Sequence, residues 1–244
     1  GAFLLKFTDW RGSFWLLTIA GAACLVLALL YRETLPAEEK YEGSLLGAIG
    51  RLFAVGRNVS FIVPCLLFSL YNLAFMGYIS MSSYIYVEYF GLSEQNYSYF
   101  FAANAALSMV GPMAYVKFFS DANKKKFAAV CFALYAVCGA AIVLVGGVHP
   151  VLFWLGFMPF SLVGTISRPF STNIMLDQQD GDTGSASSLI GGIMTVFGSI
   201  GMVAASLFSN PVFGLGFIIF LSGAASLVGW LALMKSSLSL KGVK

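Results

Sequence analysis

Charge is what this sequence has least of. Only 10% of its 244 residues are Asp, Glu, Lys or Arg, while 59% are hydrophobic; a typical soluble domain carries about 25% charged residues. With a mean hydropathy of +0.84, the polar groups cannot coat a soluble particle of this size. The surplus apolar surface must face lipid or other subunits. Histidine occurs once, as His149 before Pro150 in a short connection, the setting of a loop residue rather than a ligand. Four cysteines (Cys24, Cys65, Cys131, Cys138) all fall in apolar runs. They lack metal or disulfide spacing and read as small buried apolar residues. There is no Ser-His-Asp set, no His or Cys cluster and no phosphate-cradling glycine loop after a strand, so the chain is not read as an enzyme and no cofactor is implied. The net charge of +3 is small and unevenly spread, which argues against a nucleic-acid partner and leaves membrane topology as its use.

What the chain has instead is long apolar runs. A bilayer-spanning helix needs roughly 20 apolar residues. Seven stretches qualify: Ser13–Leu30, Val59–Val87, Tyr97–Phe119, Phe127–Val145, Val151–Leu176, Ser185–Phe208 and Pro211–Met234. No strand alternation of comparable length competes with them. The fold class expected is all-α, a polytopic membrane protein of seven transmembrane helices. Short connections suggest that sequential helices pack as antiparallel neighbours.

The basic residues mark one side. Arg32, Lys40, Arg51 and Arg57, then Lys117, Lys124, Lys125 and Lys126, then Lys235, Lys241 and Lys244 fall on alternate connections and the tail. The opposite connections, 88–96, 146–150 and 209–210, carry none. The positive-inside rule makes the basic side, and the C-terminus, cytoplasmic. The N-terminal end, with Lys6 and Arg11, is then outside, a mild violation. The chain opens at Gly1 with an apolar segment almost at once. A cleaved signal peptide or truncation of a longer chain would produce this, and the topology favours truncation. Residues 32–58 form the longest polar segment. Its first half carries Glu33, Glu38, Glu39 and Glu42; its second half spaces Leu45, Leu46, Ile49, Leu52 and Phe53 as an interfacial helix. The layout is one span at 1–31, a cytoplasmic loop at 32–58, six spans at 59–235 and a tail at 236–244.

Several strings then carry a resemblance: Trp10-Arg11-Gly12-Ser13-Phe14-Trp15 before the first span, Glu33-Thr34-Leu35-Pro36 after it, and the acidic-then-basic turn Asp121-Ala122-Asn123-Lys124-Lys125-Lys126. To these are added Gly77-Tyr78-Ile79-Ser80-Met81-Ser82-Ser83, Phe90-Gly91-Leu92-Ser93 with Phe100 to Ala105, and Thr183 to Leu189 with Gly191. Their order resembles the major facilitator transporters, and within them the Bcr/CflA-type multidrug-resistance subfamily. The resemblance implies that the last six spans form one half-bundle, that spans one to five lie outside this chain, and that the whole exports drugs by antiport with protons through alternating access in a bacterial inner membrane. It departs at Tyr84, where Pro is usual, and at Arg168-Pro169-Phe170, which replaces a Pro-Asn pattern, so substrate preference stays open. A metabolite carrier of the same fold and a non-transporting subunit or truncated product are the alternatives. A retinal pump is excluded, because Pro211–Met234 holds no lysine and the spans hold no acid relay.

Candidate site residues follow from polarity inside the spans. Arg168 is the only basic residue within one away from its ends, roughly two-thirds of the way across, where a charge costs about 2.5–3.5 kcal/mol on insertion scales. It reads either as a partner for a substrate anion or an absent acid, or as a structural gate. Pro169 beside it should kink the span. Tyr71, Asn72, Phe75, Met76, Ser80, Ser83 and Tyr84 line the longest span, as a soft aromatic and amide stripe for a small-molecule substrate or as helix packing. Asn104 and Ser108 share a face of the next span, with Gly111-Pro112 predicting a bend, and Asn173 lies near the inner end of the Arg168 span. Asp121, Lys124, Lys125 and Lys126 are candidate gating residues, with Asp177, Asp180 and Asp182 as solvated acids or their contacts. Ser187, Gly191, Thr195 and Ser199, four apart, read as a stripe for close helix packing.

Overall fold

The computed structural model describes residues 7–32, 44–179 and 182–243. Lys6, the Glu33-Thr34-Leu35-Pro36 string, Glu38, Glu39, Lys40, Glu42, Asp180 and Lys244 lie outside the described residues. Among those described there are eight helices and no strand. They are α1 (Trp10–Leu30), α2 (Leu45–Gly56), α3 (Val59–Ser83), α4 (Glu94–Ala114), α5 (Lys124–Ala141), α6 (Pro150–Asp177), α7 (Thr183–Ser206) and α8 (Pro211–Lys235). Wide i→i+5 turns extend α3 through Tyr84–Tyr89, α4 through Tyr115–Phe119 and α5 through Ile142–Gly146. Seven of the eight are long and apolar enough to cross a membrane. The exception is α2, the expected interfacial helix.

Each start is set by a polar N-cap: Asp9, Ser44, Asn58, Ser93, Asn123, His149, Asp182 and Asn210 each accept a backbone N–H of their helix's first turn. Capping explains why α1, α4 and α5 begin three residues before the hydropathic runs do. The residues after the cap are helical although polar. His149 is thus a capping residue, its Nδ1 3.2 Å from the Val151 N–H. The Phe90-Gly91-Leu92-Ser93 string is a turn: Gly91 takes φ +68°, which favours glycine, and Ser93 caps α4. α6 runs on through Pro159 and Pro169. Beyond Pro112 in α4, the Tyr115 N–H bonds back to both Gly111 and Pro112 carbonyls as the helix widens.

Sequential neighbours are not the main packing partners, contrary to the expectation from short loops. The most extensive contacts are α3 with α7, α5 with α8 and α4 with α6, followed by α3 with α8 and α5 with α6. Exchanging α3 with α6, α4 with α7 and α5 with α8 maps this pattern onto itself, as two triplets of opposite direction would. A long helix crosses the bilayer whatever its neighbour, so loop length constrains pairing weakly. The core is aromatic: Tyr78 stacks on Phe157 with ring centroids 3.6 Å apart, and Phe68, Phe132 and Trp230 pack together at 5.1–6.2 Å. No residue of α1 is buried. Cys65, Cys131 and Cys138 are buried as expected, but Cys24, on α1, is exposed.

Candidate functional site

One pocket collects the sequence's most conspicuous charge. Phe68, Tyr71 and Asn72 of α3, Tyr135 of α5, Gly164, Ser167, Arg168 and Ser171 of α6, and Met194 of α7 line it. Its enclosed part is about 20 Å³, room for one water. It is open on one side, where Arg168 is exposed. α6 builds the wall because Gly164, Ser167, Arg168 and Ser171 recur every three or four residues and share a face. Gly164 is needed there: a Cβ at this position would run into the Tyr71 ring. Tyr71 is held between Phe75 and Phe160, at 5.5 and 5.0 Å between centroids, within electrostatic reach of Arg168.

The pocket's hydroxyls are turned to the backbone. Ser167 Oγ donates to the Gly164 carbonyl at 3.0 Å and Ser171 Oγ to that of Arg168 at 3.0 Å. Tyr71 donates to the Ser161 carbonyl at 3.5 Å, and the Tyr135 hydroxyl lies 2.9 Å from Ser167 Oγ. The Asn72 amide donates to the Met194 carbonyl, joining α3 to α7. Among the described residues nothing bonds the Arg168 guanidinium, and no Asp or Glu lines the pocket.

Of the other predicted residues, Phe75 belongs to the Tyr71 stack and Met76 packs at Gly198 of α7. Asn104 and Ser108 meet Ser161, at 3.3 and 2.8 Å to its Oγ. This second polar cluster is sealed between α4 and α6, and Asn104 Oδ1 is left without a partner there. It adjoins the pocket through the Ser161 carbonyl. Ser80, Ser83 and Tyr84 are exposed further along α3, and Asn173 is exposed beyond Ser171; neither Asn173 nor those three line the pocket. Ser80 returns its hydroxyl to the Gly77 carbonyl at 3.1 Å.

The spacing-of-four stripe also reads differently. Ser187, Gly191, Thr195 and Ser199 are exposed, and a Cβ on Gly191 would meet nothing within 4 Å. The close approach of α7 to α3 uses Gly198 and Gly201 instead, where a Cβ on Gly201 would strike the Leu73 backbone. A four-residue repeat locates a face but does not say which neighbour it meets.

Basic residues gather at one end. Arg51 of α2 pairs with Asp182 at 3.8 Å, so Asp182 contacts neither Arg168 nor the lysines. Its carboxyl is held below the ordinary range, first by the Ser185 N–H it accepts as a cap and by the Ser185 side chain, with Arg51 adding less. Asn123 caps α5, which begins with Lys124, Lys125 and Lys126. Three cations at a helix N-terminus oppose the macrodipole, so these charges do not add to the stability of that turn. Asp121 stands exposed just before it. A Cβ on Gly242 would lie 3.2 Å from Lys124 Nζ and 3.6 Å from Asp177 Oδ2. Gln178, missed in the sequence, clasps this end: its side chain accepts the Lys241 N–H at 3.0 Å and donates to the Lys241 carbonyl at 3.2 Å, while Asn58 donates to its backbone carbonyl at 2.8 Å. Ser161, Ser167, Ser171 and Tyr135 were also missed. The first three were legible as the polar face of α6, whereas Tyr135 enters from a helix whose partner the sequence does not reveal.

Among the described residues, an all-helical bundle of membrane-spanning length with one cation in an aromatic and hydroxyl-lined pocket is the architecture of a polytopic membrane protein. The sequence profile of the Major Facilitator Superfamily matches residues 1–202, and the chain belongs to that family. It is similar to an uncharacterized MFS-type transporter, YdgK, of Bacillus subtilis (strain 168), at 23% identity over 235 residues. The alignment takes in 95% of this chain, which spans 58% of that curated relative's length.

Proposed function

We propose that this chain is the C-terminal part of a secondary transporter of the Bcr/CflA type, carrying drugs or other small amphipathic molecules outward by alternating access against protons. The observation that carries the reading is the Arg168 pocket. It is open on one side and too small by itself to enclose a ligand, since ligand sites run to about 300–1,000 Å³, so a second bundle is expected to complete it. The exposed Ser187–Gly191–Thr195–Ser199 face supports the same arrangement, because small residues let helices of an opposing bundle approach and slide. Spans one to five would supply that bundle and the acidic residues for proton coupling. The clustering of Arg51, Lys124, Lys125, Lys235 and Lys241 at one end supports a cytoplasmic location for that end and for the C-terminus, in a bacterial inner membrane. Asp121 and Lys124–Lys126 would then face the cytoplasmic gate.

The test is efflux of a fluorescent amphipathic dye from proteoliposomes holding the full-length gene product under an imposed pH gradient. Gradient-driven efflux abolished by a protonophore supports the reading; efflux indifferent to the gradient overturns proton coupling, and none overturns transport of this class. The departure at Arg168-Pro169-Phe170 favours one second reading, a metabolite carrier of the same fold.

A further inference from the structure

We infer that the Arg168 pocket receives the single negative charge of an amphipathic monoanion, a carboxylate carried on an aromatic body, with Arg168 as its anchor. The inference rests on the transporter reading above. A guanidinium inside a span needs a counter-charge, and the described residues supply none: no Asp or Glu lines the pocket, and the acids of the described residues sit at helix ends and turns, at Asp9, Glu88, Glu94, Asp121, Asp177 and Asp182.

The neighbouring groups decide what kind of anion fits. Ser167, Ser171, Tyr71 and Tyr135 direct their hydroxyl hydrogens to carbonyls or to one another, and Asn72 spends an amide hydrogen on Met194. The guanidinium is left as the principal donor. One planar fork matches one carboxylate bidentately. A dianionic phosphate would ask for more donors than the wall offers. Phe68, Tyr71, Tyr135 and Met194 make up the rest of the lining, a surface for an aromatic body rather than a sugar. The side chain's direction agrees: helical side chains lean toward the N-terminus of their helix, here back toward Gly164 and the Tyr71 ring, away from the Asp177 end.

The experiment compares three probes of one ring, 2-naphthoate, 2-naphthamide and 2-naphthylmethylamine, as competitors of dye efflux and as ligands in thermal-shift titrations of the full-length protein. The expected result is that naphthoate binds at least tenfold more tightly than the amide or amine. Arg168→Gln should weaken naphthoate roughly 10- to 100-fold, the range for a charged hydrogen bond, and leave the amide unchanged. Arg168→Lys, which keeps the charge without the fork, should recover part of the loss. Unchanged amide binding shows that the variant is folded. A preference for the amine, or naphthoate binding indifferent to Arg168→Gln, overturns the inference and leaves Arg168 as a gate cation or the partner of an acid outside this chain. Efflux of the dye with no binding of any probe overturns the inference alone; loss of dye efflux as well overturns the transporter reading with it.

Discussion

Two sets of small residues along α7 are used to opposite ends. On the face toward α3, Gly198 and Gly201 are buried, and α3 answers with Gly77, where a Cβ would come within 3.2 Å of the Gly201 carbonyl. Here the missing side chains are what lets two backbones touch. Gly191, Gly192, Thr195 and Ser199, by contrast, are exposed, and neither glycine has a neighbour within 4 Å of its would-be Cβ. Both sets are of small residues; only the first is part of this bundle's own packing.

Substitution should separate them most at the packed face. Gly201→Ala drives a methyl into the Leu73 backbone and should cost about 3 kcal/mol, an overpacking penalty, read as a lower midpoint in detergent-solubilised thermal unfolding. Gly191→Ala has room and gains helix propensity, so it should raise stability by about 0.5–1 kcal/mol; an equal loss at both sites would erase the distinction. At the contact between α4 and α6, Ser161→Ala removes the hydroxyl that accepts from Asn104 and is hydrogen-bonded to Ser108. Membrane-buried hydrogen bonds average about 0.6 kcal/mol, so a loss of about 1 kcal/mol is expected in the same assay, with Arg168→Gln unfolding close to wild type because no protein group holds that side chain. The smallest effect belongs to Asp182. Its folded-state carboxyl lies below the ordinary 3.8, so its contribution is present at neutral pH, begins to fade as the pH falls below 3.8 and is gone below the folded value. Asp182→Asn keeps a cap but loses the Arg51 pair, and for so exposed a pair the change should stay within a few tenths of a kcal/mol, measured as a flattened acid limb of the unfolding midpoint against pH.

All seven spans were legible because hydropathy over 20 residues is a strong signal, and the helix α2 because its apolar residues keep helical spacing. Helix starts were displaced where the cap and first turn are polar, as at Ser93–Glu94 and Asn123–Lys124. Arg168 stood out as a lone charge, and Tyr71 and Asn72 joined it. Ser80, Ser83, Tyr84 and Asn173 lie on the same helices but outside the pocket, Ser83 because it sits three turns beyond Asn72, and sequence over a 25-residue span does not show which turns meet which neighbours. The pairing of α3 with α7, the choice of Gly198 and Gly201 over the stripe, and the Gln178 clasp are facts of tertiary arrangement. No local pattern encodes them.

The self-mapping arrangement of the two triplets has a bearing on biogenesis. The α3–α5 and α6–α8 units present much the same pattern of partners read from either side of the bilayer, so helix pairing offers the insertion machinery little by which to tell up from down. Under the proposed topology, the label that breaks the tie is a handful of cations, Arg51 and Arg57 before α3, Lys117 and Lys124–Lys126 between α4 and α5, and Lys235 and Lys241 after α8. On the proposed orientation, direction is carried by charges at the helix ends rather than by the pairing of the helices.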